Sequence, residues 1–142
     1  MKSSAHKIEQ IRSNSPAITE VPCAVLAELK KRGYSEGSIF AVHIALSEAL
    51  TNAAHHGNGL DARKKVKLEY FIDSHKVEIS VTDEGNGFDP NTVPDPRYGE
   101  NLYKTNGRGL LLMHSFMDSV SFNQRGNTVS MVRYKNTKKA EK

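Results

Sequence analysis

Between Ser35 and Gly57 the apolar residues Ile39, Val42, Leu46, Ala49 and Ala53 recur at alternating intervals of three and four. That spacing keeps one face of an α-helix apolar and predicts the strongest helix in the chain. Ser35 or Ser38 can cap its start, and Gly57 marks its end. Upstream, Val21, Ala24, Val25, Leu26 and Leu29 predict a helix over about Ile18 to Lys31. Pro22 lies near its start, where a missing N–H does little harm, and Gly33 ends it. Residues His6 to Ser13, where alternation is weak, admit a short strand entering the domain.

Downstream the period changes from helical to two. Val66, Leu68, Tyr70 and Ile72 alternate with Lys67, Glu69 and Phe71, and Val77, Ile79 and Val81 alternate with Lys76, Glu78 and Ser80. With Asp73-Ser74-His75 as a tight turn, the two runs predict an antiparallel hairpin with one wet face. Asp83 to Asn106 has little periodicity and many Gly, Pro and Asn residues. It is long for a connection, which marks it as functional or mobile. Helical spacing returns over Gly109 to Met117, and two strands follow at about Ser119 to Asn123 and Thr128 to Tyr134. The order predicts an α+β two-layer sandwich, with three helices packed on one face of a mainly antiparallel sheet.

A chain of 142 residues suits one domain, with a core over about 16–133 and a flexible basic tail at 135–142. Lys135, Lys138, Lys139 and Lys142 supply much of the net charge of +4, a balance too mild to argue for direct nucleic-acid binding. Met1 to Pro16 holds no apolar run suited to a signal peptide or membrane span, so no membrane contact and a cytoplasmic location are expected. Cys23 is the sole cysteine, which excludes an internal disulfide. With no histidine or charge adjoining it, Cys23 is expected to be a buried small hydrophobe.

Three segments carry candidate chemistry. Glu48 and Asn52, four positions apart, project from one side of the strongest helix, with His55 close to their line. A carboxylate beside an amide there is either a solvated stripe or half of a catalytic site. Asp83, Gly85 and Gly87 follow a strand in D-x-G-x-G spacing. Glycines leave a gap for a flat ring and the carboxylate accepts from an exocyclic amine, as adenine would require, though an acidic surface turn has the same composition. Gly107-Arg108-Gly109 opens the third helix, where unpaired N–H groups and the positive dipole end favour an anion. The bland alternative is a glycine hinge. Neither the Walker pattern nor the Rossmann G-x-G-x-x-G is present, since position 112 is Leu. His55-His56 lacks metal-protease spacing and is read as structural or solvated, with His56 able to line the phosphate end of a pocket.

Taken together, the acidic helix, the D-x-G-x-G turn, the long loop and the G-x-G helix start resemble the histidine kinase-like (GHKL-type) ATP-binding fold of gyrase-type ATPases, histidine kinases and mismatch-repair proteins. Within it the chain is most similar to the anti-sigma factor serine/threonine protein kinases. Ala45 to Asn58 is similar to their N box, Val81 to Pro90 to their first glycine box, and Gly107 to Val120 to their second. The resemblance spans roughly Pro16 to Arg133.

The resemblance implies a Bergerat-type fold that binds ATP and Mg²⁺. It implies Asn52 as metal ligand, Glu48 as general base, Asp83 as the group that binds the adenine amine, and Thr128 as a helper through water. Gly85 and Gly87 would shape the base pocket, Gly107, Arg108 and Gly109 would meet the phosphates, and Asn91 to Asn106 would form a lid. The implied function is a regulatory protein kinase, active as a homodimer. It would bind a sigma factor or similar protein and phosphorylate a small anti-anti-sigma-type antagonist. A nucleotide-gated binding module with little kinase activity, or a stand-alone ATPase, are the other readings.

Overall fold

The computed structural model describes residues 4–85 and 105–139, with the side chains of 105–108 left aside. Strand β1 (Ala5–Arg12) leads into a short helix α1 (Ala17–Glu20), then α2 (Pro22–Lys31) and α3 (Glu36–Thr51). After α3 the backbone continues as one π-helical stretch, Asn52–Gly57, before the hairpin β2 (Lys65–Ile72) and β3 (Lys76–Thr82). Helix α4 (Thr105–Phe116) and the strands β4 (Ser119–Phe122) and β5 (Thr128–Tyr134) complete the described elements.

The expected sandwich is present. Five strands form a sheet of order β1-β2-β3-β5-β4 in which every described pairing is antiparallel. The weakly alternating opening segment is an edge strand, paired with β2 over its whole length. Alternation then decides which face is dry. Val66, Leu68, Ile72, Val77, Ile79, Val81 and Met131 are buried under the helices, together with Val25, Leu29, Val42, Leu46 and Leu50. Each fully buried aliphatic side chain contributes about 1.5–3 kcal/mol, so this shared layer dominates the stability of the fold. The other face carries Glu69, Glu78 and hydroxyls, with Ser80 paired to Ser130 and Thr82 to Thr128. At the hairpin turn, Asp73 Oδ1 accepts from the N–H groups of His75 and Lys76. Ser35, rather than Ser38, is the N-cap of α3, since its hydroxyl accepts from Ser38 N.

Three expectations change. The single helix over Ile18 to Lys31 is divided in two, because Pro22 has no N–H to continue the ladder of α1 and instead occupies the first turn of α2. Cys23 is exposed rather than buried, because Val25 and Leu29 take the core side of α2 and turn position 23 outward. The third helix starts at Thr105, a turn earlier than the first glycine-based reading, so Gly107, Arg108 and Gly109 lie within it. One inward position of β5 also breaks the apolar pattern. Arg133 is wholly buried, its guanidinium donating to Phe116 O at the C-terminal end of α4 and to Ser38 Oγ at the start of α3. A cation at a helix C-terminus meets the negative end of its dipole. Among the described residues no helix is long and apolar enough to cross a membrane.

Candidate functional site

Helices α3 and α4 run side by side on the sheet. Near the C-terminal end of α4, Phe40 and Phe116 meet edge to face, with ring centroids 6.2 Å apart. Near its N-terminal end α4 meets polar side chains instead. A Cβ added at Gly109 would lie 2.9 Å from Glu48 Oε1 and 2.9 Å from Asn52 Nδ2. The missing side chain at Gly109 thus leaves room for these two side-chain ends, and the start of α4 lies against both polar residues. Asn52 Oδ1 is buried and has no hydrogen-bond partner among the described residues. A buried amide oxygen left unpaired costs about 1–3 kcal/mol, which makes it an acceptor for a bound water or ion.

Beyond Asn52 the backbone widens into the π-helical stretch, a departure found often at functional sites. The extra residue in this turn carries His56 rather than His55 to the line of Glu48 and Asn52, and His56 borders the adjoining cavity. That cavity has a volume of about 280 Å³. Val81, Phe122 and Val129 line it from the sheet, Ala49 and Ala53 from the α3 side, and Leu110 and Met113 from α4. Its polar lining comes from Asn52, Asp83 and Asn127. An apolar slot with a few convergent polar groups is the usual form of a small-molecule site.

Asp83 stands where β3 ends. Burial raises its carboxyl above the ordinary value of 3.8, against the opposing pull of the Gly85 N–H and the charges of Arg125 and Lys64. Its Oδ1 accepts from Gly85 N at 2.8 Å, which fixes the carboxylate against its own turn. Asn127 holds the same turn from β5, donating from Nδ2 to Asp83 O at 3.1 Å and accepting from Asp83 N on its carbonyl at 2.9 Å. A Cβ at Gly57 would strike the Asp83 carboxylate, and one at Gly85 would strike the Gly57 carbonyl. Thus the first glycine box closes directly on the end of the N box.

Of the residues singled out from sequence, Glu48, Asn52, Asp83, Gly85 and Gly109 are brought to one region. Glu48 does not line the cavity itself but sits a helical turn from Asn52, beside Gly109. Gly107 and Arg108 lie in the opening turn of α4, near the free N–H groups, and the Arg108 side chain is not among those described. Gly87 and nearly all of the expected lid, residues 91–104, fall outside the described residues. Thr128 is not brought in. Its hydroxyl bonds Thr82 Oγ1 on the far face of the sheet, at 2.8 Å. Strand alternation explains this: Val129 faces the cavity, so 127 does and 128 does not. His56 lines the cavity as expected, whereas Asn127, Gly57 and Phe122 are lining residues that the sequence did not single out. For Asn127 the signal was available in the period of β5.

The raised carboxyl has a stability consequence. The folded protein prefers neutral Asp83, so this contribution to stability is complete below 3.8 and is lost as pH rises through the folded value. Asp83→Asn is therefore expected to raise the unfolding temperature of the nucleotide-free protein at neutral pH. The gain should vanish in acid, as differential scanning calorimetry at two pH values would show. If Asp83 binds the adenine amine, as the resemblance implies, the same substitution should weaken ATP binding by about ten- to a hundredfold, the usual range for a lost hydrogen bond to a charged group. Titration calorimetry giving wild-type affinity would remove Asp83 from the adenine site.

The fold, the carboxylate at the end of the apolar slot and the orphaned amide beside the start of α4 define an ATP-binding domain of the histidine kinase-like class. Residues 13–133 match the family model described as a histidine kinase-like ATPase domain, and the chain belongs to that family. It is similar to serine-protein kinase RsbW of Bacillus subtilis (strain 168), at 31% identity over 99% of this chain and 93% of that protein. It is likewise similar to serine-protein kinase RsbW of Bacillus licheniformis, at 30% over 99% and 93%, and of Listeria monocytogenes serotype 4a, at 32% over 78% and 75%.

Proposed function

We propose that this protein is an ATP-dependent serine/threonine protein kinase of the anti-sigma type, phosphorylating a small antagonist protein. The observation that carries the reading is the pair Glu48 and Asn52 beside Gly109, with the Asn52 amide oxygen buried and without a partner among the described residues, next to an apolar slot that has Asn52 and Asp83 in its lining. The kinase names of the similar proteins support it.

The residues fit Mg²⁺. Among the described residues no group of three His, Cys, Asp or Glu side chains could hold a metal unaided. A lone amide oxygen suits an ion whose other ligands are phosphates and water. Asn52 Oδ1 would hold it, and the ion, when bound, neutralises phosphate charge. Asp83 accepts the adenine amine while Val81, Val129 and Leu110 exclude water from the ring. The start of α4, with Gly107, Arg108 and Gly109, receives the phosphates. Glu48 takes the proton of the acceptor serine or threonine as its oxygen bonds the γ-phosphorus and the bond to ADP breaks. Alignment of these groups is most of what phosphoryl transfer asks of a protein.

Incubation with labelled ATP, Mg²⁺ and antagonist proteins coded nearby tests the reading. Label on a serine or threonine is expected. Release of free phosphate alone would make the protein an ATPase, and tight ATP binding with neither product would make it a nucleotide-gated module. Asn52→Ala should shrink the gain in ATP affinity brought by Mg²⁺ by about tenfold, the loss of one charge-assisted contact. Titrations with and without the metal that match wild type would reject the role. We also assign a homodimer, a sigma factor or similar protein as regulated partner, and action in the cytoplasm. Sedimentation and co-purification measure these directly.

A further inference from the structure

We propose that Asn58 is a positioning residue for the purine end of the site, holding the Asp83–Gly85 turn in register with the helix that bears Glu48 and Asn52. This rests on reading Asp83 as the acceptor of the purine amine. Asn58 follows the π-helical stretch and is only 3% exposed, yet its amide is well partnered. Oδ1 accepts from Glu84 N at 2.7 Å, and Nδ2 donates to Ser13 Oγ at 2.8 Å and to Lys65 O at 3.0 Å. Three distant segments, the ends of β1 and β3 and the beginning of β2, thus converge on one side chain.

Their other contacts show what the amide adds. Ser13 is itself held by backbone, its N–H and hydroxyl both reaching Lys64 O. Lys65 N donates to Glu84 Oε2 at 2.8 Å, a second strap at an exposed position. Between Gly57 and Gly85 the chains touch backbone to backbone, with the Asp83 carboxylate packed on Gly57 and with Asn127 and Arg125 bonding the Asp83 and Gly85 carbonyls from the other side of the turn. Asn58 Oδ1 adds the buried tie from the N-box side, one residue from Asp83, whose carboxylate is bonded in turn to Gly85 N. Only a side chain that accepts once and donates twice satisfies these three groups at this reach. A buried amide with every partner met specifies one arrangement, because any shift strands a polar group.

A side chain that served stability alone would change the unfolding temperature and leave base discrimination as it was. The test therefore compares ATP with inosine triphosphate, which carries a carbonyl in place of the purine amine, by titration calorimetry on the full chain with Mg²⁺. Wild type should favour ATP. Asn58→Ala should lower ATP affinity by about tenfold and leave that for inosine triphosphate unchanged, so that discrimination falls by the same factor. Adding Asn58→Ala to Asp83→Asn should lower the ratio no further, since both act through one carboxylate. Ser13→Ala removes a single partner of Asn58 and should give a smaller loss in the same direction. It decides the matter if Asn58→Ala lacks a cooperative thermal transition. A wild-type ratio in the deciding variant, beside a collapsed ratio in Asp83→Asn, overturns the positioning role alone. A wild-type ratio in Asp83→Asn overturns the reading of Asp83 itself, and the role of Asn58 with it.

Discussion

Glu48→Ala is expected to leave ATP affinity within about twofold of wild type and to slow phosphoryl transfer by about 10²–10⁴-fold, the usual worth of a positioned general base. The expectation comes from placement. Glu48 shares a side of α3 with Asn52 and faces Gly109, but stands outside the lining of the apolar cavity. On the proposed placement of ATP it is beside the phosphate end and away from the purine, where a carboxylate would meet an incoming hydroxyl without holding the nucleotide. Glu48→Gln keeps the shape and the contact with Gly109 and should lose nearly as much rate, which separates proton acceptance from packing. Single-turnover transfer and titration calorimetry on the same preparations measure the two quantities. Rate and affinity falling together would make Glu48 a binding residue, and an unchanged rate would place the base elsewhere.

Gly85→Ala should abolish measurable ATP binding and destabilise the protein by about 1–3 kcal/mol, the ordinary cost of overpacking. The new Cβ would overlap the Gly57 carbonyl. Since the obstacle is backbone, no rotamer change can relieve it. The turn must move, and Asp83 moves with it because its carboxylate is bonded to Gly85 N. Chemical denaturation and nucleotide titration check the two effects. Full ATP affinity in a folded Gly85→Ala protein would show that the close approach of Gly57 and Gly85 does not govern the site.

These two substitutions mark the boundary of what sequence reading reaches. Glu48 was recognisable because it lies four residues from Asn52 on a helix whose apolar stripe is plain. Gly85 was recognisable as a turn residue, but its contact with Gly57 joins segments far apart in the chain. The same division runs through the rest of the site. Gly109 read as a helix opener and also leaves room for the side-chain ends of Glu48 and Asn52, a contact visible only once α3 lies beside it. Thr128 was one position out, and the period of β5 would have corrected it. His56, already expected to line a pocket, does so from a π-helical stretch that no periodicity announces.

The order of elements, the dry and wet faces of the sheet and the three chemical segments belong to the sequence by itself, because each is written in residues that are neighbours along the chain and obey a period of two or 3.6. Tertiary structure decided the rest: the buried Arg133 that joins the ends of α3 and α4, the amide of Asn58 that gathers three segments, and the buried oxygen of Asn52, without a partner among the described residues. Each depends on contacts across long loops. Their energies come from burial and from hydrogen bonds that exist only when the sheet has closed under its helices.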